Sequence, residues 1–253
     1  MRSEPRTPLL QAALRAAWAA GREILADADA SIPFLGEEGR EIPFDERKGW
    51  KRFWLVDPLD GTKEFVSRNG EFTVNIALVE RDRAVFGLVF APVPSLAYFG
   101  HVPSRAAYRL SDAVALAALA DRGAEWEEVA VRSVRLPAES TRVFTVAASR
   151  SHMTPETDAY IGECRRLFGE VVTRSSGSSL KMCHVAEGLA DVYPRIGPTY
   201  EWDVAAGQAV VEAAGGSLCR AGSREPLVYN KPDLHNPSFV CVNSRYRDRV
   251  PAG

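Results

Sequence analysis

The sequence is short of cysteine, of long apolar runs and of any surplus of charge, and each shortage closes off a class of function. Its four cysteines, Cys164, Cys183, Cys219 and Cys241, lie far apart and form no CxxC pair. That spacing argues against a zinc site or a disulfide framework and suits reduced core cysteines in a cytoplasmic protein. The longest apolar run, "AVALAALA" at Ala113–Ala120, is far shorter than the roughly 20 residues a membrane-spanning helix needs. The opening "MRSEPRTPLL" lacks the continuous apolar stretch of an export signal. With 31 basic and 33 acidic residues the formal net charge is -2, so no global field draws in a nucleic-acid polymer or an anionic membrane. Any anion this chain binds is met by local groups.

What is present is an ordinary globular composition. The 253 residues, 46% hydrophobic and 25% charged, suffice for one large domain or two small ones. Leu10, Leu14, Ala17, Trp18 and Ile24 recur at helical spacing, which predicts a helix over residues 8–24 that ends near Asp27. A short strand then runs into Glu37 and Glu38. After the charged loop around 45–51 come the β-branched runs "FTVNIALVE" and "AVFGLVFAPV", bounded by polar residues or proline and expected to be successive strands of one sheet. "SDAVALAALADRG" fits a short peripheral helix opened by Ser111 and stopped by Gly123. From Thr141 strands alternate with helices, which predicts an α/β layer and a boundary near residue 140. The expected organisation is an α+β half over 1–140 and an α/β half over 141–253.

The most demanding stretch is "WLVDPLDGTKEF", Trp54 to Phe65. An apolar strand ends in Asp57 and Asp60, three apart across a turn that Pro58 initiates. Two carboxylates about 4 Å apart repel by roughly 4 kcal/mol at an effective dielectric near 20, so a cation is expected between them. The ligands here, the two carboxylates and the Leu59 carbonyl, are hard oxygens, the set that magnesium prefers. The adjoining Gly61-Thr62 turn offers backbone N–H groups to phosphate oxygens. Asp203, at the start of the helical "DVAAGQAVVEAAGG", is a candidate third carboxylate, and Glu37-Glu38 end another strand. Taken singly, these residues equally fit a solvated turn, a helix cap and a surface loop.

Taken jointly they resemble one family: the lithium-sensitive, magnesium-dependent phosphatases that include inositol monophosphatase. Its motifs GEE, DPxDGT and WDxAAG…AGG are all present and in order. The longer strings "WLVDPLDGTKEF", "RNGEFTVNIAL", "SRSH", "GSSLK", "YPRIGPT" and "EWDVAAG" are similar to the CysQ-type 3′(2′),5′-bisphosphate nucleotidases within it. The resemblance implies a layered α-β-α-β-α sugar-phosphatase fold and a Mg²⁺ centre of two or more ions, held by Glu37, Asp57, the Leu59 carbonyl, Asp60 and Asp203. It implies a phosphate-contacting turn at Gly61 and Thr62, with Glu37, Asp60 and Thr62 serving catalysis, Glu37 and Thr62 by orienting the attacking water. Substrate-binding positions fall on His152, Ser178, Lys181, Arg195 and Asp203, with Arg150 and Lys63 as helpers.

The implied reaction is hydrolysis of 3′-phosphoadenosine 5′-phosphate to AMP and phosphate by a monomer or homodimer, with an inositol or sugar monophosphatase, or a catalytically weakened nucleotide-binding relative, as the alternatives. One departure stands out. The family's "PxTxAD" aspartate has no evident counterpart after Thr7-Pro8, where Gln11–Leu14 occupy the space. On this reading the attacking water lacks one activating group and turnover is slow.

Overall fold

The computed structural model describes residues 32–112, 126–138, 142–148 and 154–251. The helix expected over residues 8–24, the Thr7-Pro8 segment, Arg150, His152 and nearly all of the helix expected after Ser111 lie outside the described residues.

Seven strands form the first sheet in chain order: β1 (Phe34–Gly36), β2 (Arg52–Asp60), β3 (Thr73–Glu80), β4 (Arg83–Ala91), β5 (Leu96–His101), β6 (Ala106–Leu110) and β7 (Val134–Arg135). β1 lies parallel to β2, and every later pairing is antiparallel. Short helices α1 (Phe44–Arg47), α2 (Thr62–Ser67) and α3 (Trp126–Val131) punctuate these strands. The second half supplies β8 (Phe144–Ala148), α4 (Pro155–Phe168), β9 (Val171–Ser175), α5 (Leu180–Glu187), β10 (Val192–Arg195), β11 (Thr199–Tyr200), α6 (Glu201–Ala213), β12 (Ser217–Arg220), β13 (His235–Asn236) and β14 (Phe239–Val242). Its main sheet has the order β12-β14-β10-β8-β9, parallel among β10, β8 and β9 and antiparallel where β14 joins, while β11 and β13 pair separately.

The layers follow from which faces are apolar. α5 and α6 lie between the two sheets, in one core cluster that holds Leu55, Ala77 and Val89 of the first sheet, Cys183 and Ala186 of α5, Ala206, Ala209 and Val210 of α6, and Leu218 and Cys241 of the second sheet. Residues from both sides of position 140 share this core. α4 covers the far face of the second sheet through Tyr160, Ile161 and Cys164 against Phe144, Val146 and Val240. This is the mixed α/β layering expected, with α6 small-sided for close packing. At Gly100, a Cβ would come 2.8 Å from the Val210 Cα, so only a bare backbone lets the sheet and α6 meet there. All four cysteines are free thiols.

The structure adds elements on which the sequence makes no statement: the strands β5 and β6, and the short helix "TKEFVS" that follows the acidic turn.

Candidate metal centre and active site

The acidic turn is a deformed strand end. β2 and β3 pair regularly down to Asp57 opposite Asn75, and pairing resumes at Asp60 opposite Thr73. Three steps on one strand therefore face two on the other, a bulge centred on Pro58 and Leu59. Proline has no N–H for the ladder, and the extra residue turns the strand so that its side chains are re-aimed. Asp57 is almost wholly buried, and its Oδ1 accepts the Leu59 N–H at 2.9 Å, which fixes the turn from inside. Gly61 follows with φ 87°, a left-handed conformation, and swings the chain into α2.

Asp60 is tethered to the other half of the molecule. Its Oδ2 accepts the Ser179 N–H at 2.8 Å, the Ser179 hydroxyl at 2.8 Å and the Asn75 amide at 3.3 Å, with a short bond from the Ser178 hydroxyl. The turn that supplies these donors, Ser176 to Ser179, is itself held. Gly177 N–H donates to Glu71 at 2.9 Å, and the Lys181 ammonium donates to the carbonyls of Ser176 at 3.2 Å and Ser178 at 2.8 Å. Asp203, in the first turn of α6, accepts the Tyr200 N–H at 2.9 Å on Oδ2, which satisfies an N-terminal donor and fixes the carboxylate.

These elements bring Glu37, Asp57 and Asp203 together: one carboxylate oxygen of each lies within 4.8 Å of the others. The electrostatics register the crowding. Burial first, then the neighbouring charges of Asp60, Glu37 and Asp203, pushes the Asp57 carboxyl well above the usual range. Burial and the Asp60 charge push Asp203 up to about 7, partly countered by the Tyr200 hydrogen bond and by Arg195. Burial and the charges of Glu38 and Asp60 raise Glu37. Such a set of hard-oxygen donors, crowded enough to resist their own ionisation, fits a divalent cation.

The remaining sequence candidates are placed unevenly. Thr62 is exposed at the start of α2, next to the Gly61 turn, and a Cβ on Gly61 would meet that of Ser178 at 3.2 Å, so these segments touch. Arg195 ends β10. Its Nη2 donates to the Pro198 carbonyl at 3.1 Å, and its buried Nε has no hydrogen-bond partner among the described residues. Lys181 is 6% exposed, its ammonium 5.4 Å from the Tyr193 ring centroid and donated to two backbone carbonyls. Burial and the charge of Arg195 hold its pKa down at about 8, against the opposing pull of Asp60. The structure thus separates two cations that the sequence treats alike. Asn75, Ser179 and Glu71 are structural partners of the site that the sequence reading missed. The available signal was Asn75, a polar residue inside the apolar run "TVNIALV".

The Inositol monophosphatase family profile matches residues 3–250. The chain is 44% identical over 184 residues to the 3′(2′),5′-bisphosphate nucleotidase CysQ of Salmonella typhimurium, an alignment covering 73% of this chain and 65% of that protein. It is 42% identical over 212 residues to the protein of the same name from Escherichia coli, covering 82% and 74%. The crystal structure of CysQ from Bacteroides thetaiotaomicron superposes with a TM-score of 0.81 at 46% identity, over 91% of this chain and 84% of that one. The chain belongs to the inositol monophosphatase family, a metal-dependent family, and carries among its described residues an acidic cluster able to hold a metal ion.

Proposed function

We propose that this protein is a Mg²⁺-dependent phosphomonoesterase that removes the 3′-phosphate of 3′-phosphoadenosine 5′-phosphate, giving AMP and phosphate. The observation that carries the reading is the convergence of Glu37, Asp57 and Asp203 within 4.8 Å, beside an Asp60 locked by the Ser178-Ser179 turn. Its similarity to the CysQ nucleotidases supports the choice of substrate. Glu37, Asp57, Asp60, Asp203 and the Leu59 carbonyl hold two or more Mg²⁺ ions. Bound there, the metal supplies charge neutralisation of the phosphate and a water of lowered pKa. The protein's own groups do the rest. Gly61 and Thr62 present the turn against which the scissile phosphate rests, and exposed Glu37 with the Thr62 hydroxyl orients the attacking water. Arg195, whose buried Nε has no hydrogen-bond partner among the described residues and whose guanidinium is close enough to bias Asp203, meets the substrate's second phosphate. His152 lies outside the described residues.

A phosphate-release panel tests this. 3′-Phosphoadenosine 5′-phosphate, inositol 1-phosphate, fructose 1,6-bisphosphate and AMP are compared with and without Mg²⁺. The reading expects the bisphosphonucleotide to be turned over with the highest kcat/KM and only with metal. Preference for inositol 1-phosphate would replace it with the inositol monophosphatase reading.

A further inference from the structure

Ser179 stands where two metal-binding segments of the proposed site meet. Its side-chain oxygen is 2.8 Å from Asp60 Oδ2 and 2.8 Å from the Asp203 carbonyl oxygen, and it accepts the Asn75 amide at 2.9 Å. Asp60 ends a strand of the first sheet and Asp203 rides on α6. Ser179 is 1% exposed and Asn75 is fully buried, so water does not replace either. A serine hydroxyl has one proton, and it can donate to only one acceptor at a time. With Asn75 filling its acceptor side, the proton is shared between the carboxylate of one segment and the backbone of the other. Asn75 bridges in the same sense, reaching Asp60 Oδ2 at 3.3 Å and the Asp203 carbonyl at 3.5 Å.

We infer that Ser179, braced by Asn75, is a positioning residue that sets the separation and tilt of Asp60 relative to Asp203, and thereby fits the site to the small Mg²⁺ ion. The inference rests on the reading of Asp60 and Asp203 as metal ligands. The donors converge on Oδ2 of Asp60, while its Oδ1 accepts no hydrogen bond among the described residues; one oxygen is anchored and the other is left for a cation. Hydrogen bonds behind a ligating carboxylate fix its direction, and removing one typically lowers metal affinity by about 10- to 100-fold. The consequence differs between ions. Mg²⁺ demands near-ideal octahedral geometry at about 2.0–2.1 Å, whereas Ca²⁺ accepts flexible shells at about 2.3–2.6 Å. Loosening the pin therefore penalises Mg²⁺ more than Ca²⁺.

Calorimetric titration of the metal-stripped protein with Mg²⁺ and, separately, with Ca²⁺ tests this without turnover, on wild type, Ser179→Ala and Asn75→Ala, with Tm in EDTA recorded for each. The expected result is a Mg²⁺ Kd raised by about tenfold or more and a Ca²⁺ Kd changed by less than about threefold. If Ser179→Ala does not fold, Asn75→Ala carries the test, with the same expected split. Equal loss of both ions, or a lowered Tm with both Kd values unchanged, would overturn the positioning role and leave the metal site standing. No Mg²⁺ binding by the wild-type protein would overturn the metal site itself and this inference with it.

Discussion

Gly87 on β4 faces the Ala206 carbonyl on α6 so closely that a Cβ on the glycine would lie 2.2 Å from that oxygen. The contact seats the helix bearing Asp203 on the sheet bearing Asp57 and Asp60. Gly87→Ala is expected to push α6 outward, at a cost of about 1–3 kcal/mol in stability, and to weaken Mg²⁺ binding because Asp203 moves with its helix. Urea unfolding together with a Mg²⁺ titration checks both. Lost stability with intact Mg²⁺ affinity would show that the first turn of α6 is held by other contacts.

Those other contacts are identifiable. Glu201, fully buried, accepts the Lys231 ammonium at 2.6 Å, the Lys231 N–H at 3.0 Å and the Asn230 N–H at 2.6 Å, and the buried Arg47 donates to Asn230 at 2.8 Å and to the Lys231 carbonyl at 2.7 Å. Lys231→Met leaves the Glu201 charge buried without its ammonium, and a loss of about 3–5 kcal/mol is expected. The double variant Lys231→Met/Glu201→Gln should regain part of it. Denaturant midpoints decide, and a double variant no more stable than the single would assign the loss to packing instead of charge.

The crowded carboxylates make the metal-free protein sensitive to pH in a defined direction. Asp203 is pushed up to about 7 from an ordinary 3.8, and Asp57 and Glu37 are raised too, so the folded state holds protons that the unfolded chain has released. Their contribution to stability is therefore lost as pH rises from about 4 to about 7. In EDTA, Tm should fall over that window relative to Asp57→Asn, which relieves the repulsion, and saturating Mg²⁺ should remove most of the difference. Thermal unfolding at pH 5 and pH 8 measures this; a wild-type slope no steeper than that of Asp57→Asn would deny that the cluster is strained.

Arg195 and Lys181 should behave differently when removed. Arg195→Ala is expected to raise KM for 3′-phosphoadenosine 5′-phosphate about tenfold or more, with less effect on a nucleoside monophosphate, because the loss is of charge pairing to bound substrate. Lys181→Met instead releases the Ser176–Ser178 carbonyls and loosens the turn that holds Asp60, so kcat should fall for both substrates alike. Steady-state kinetics on the two substrates separates the cases. A selective KM effect from Lys181→Met would show that its ammonium leaves the carbonyls to meet substrate.

The residues that were legible in the sequence are those whose type contradicts their surroundings. Asp57 and Asp60 at the end of an apolar strand announce a cation, and the alanines of α6 announce close packing. Lys181, which the resemblance places among the substrate-binding positions, sits on α5, a helix buried on nearly every side, a tertiary fact that no local period encodes. Ser179 meets Asn75 and Asp60 from more than a hundred positions away in sequence, a proximity that only the fold creates. β5 and β6, "LAYFGH" and "AAYRL", carry small residues and charges that blur the alternation, and their pairing with β4 and with each other defines them. α2, six residues long, is too short to show a helical period.

The most direct test of the account is the initial rate of phosphate release from 3′-phosphoadenosine 5′-phosphate as Mg²⁺ is titrated into the metal-stripped enzyme, with Asp57→Asn run in parallel. Asp57 is the buried member of the carboxylate cluster, so the substitution removes a proposed ligand while keeping shape. The account predicts a saturable rise with Mg²⁺ for the wild type and a rate lower by at least about a hundredfold for the variant at every Mg²⁺ concentration. A wild-type rate indifferent to EDTA, or an Asp57→Asn enzyme that turns over as the wild type does, would contradict it.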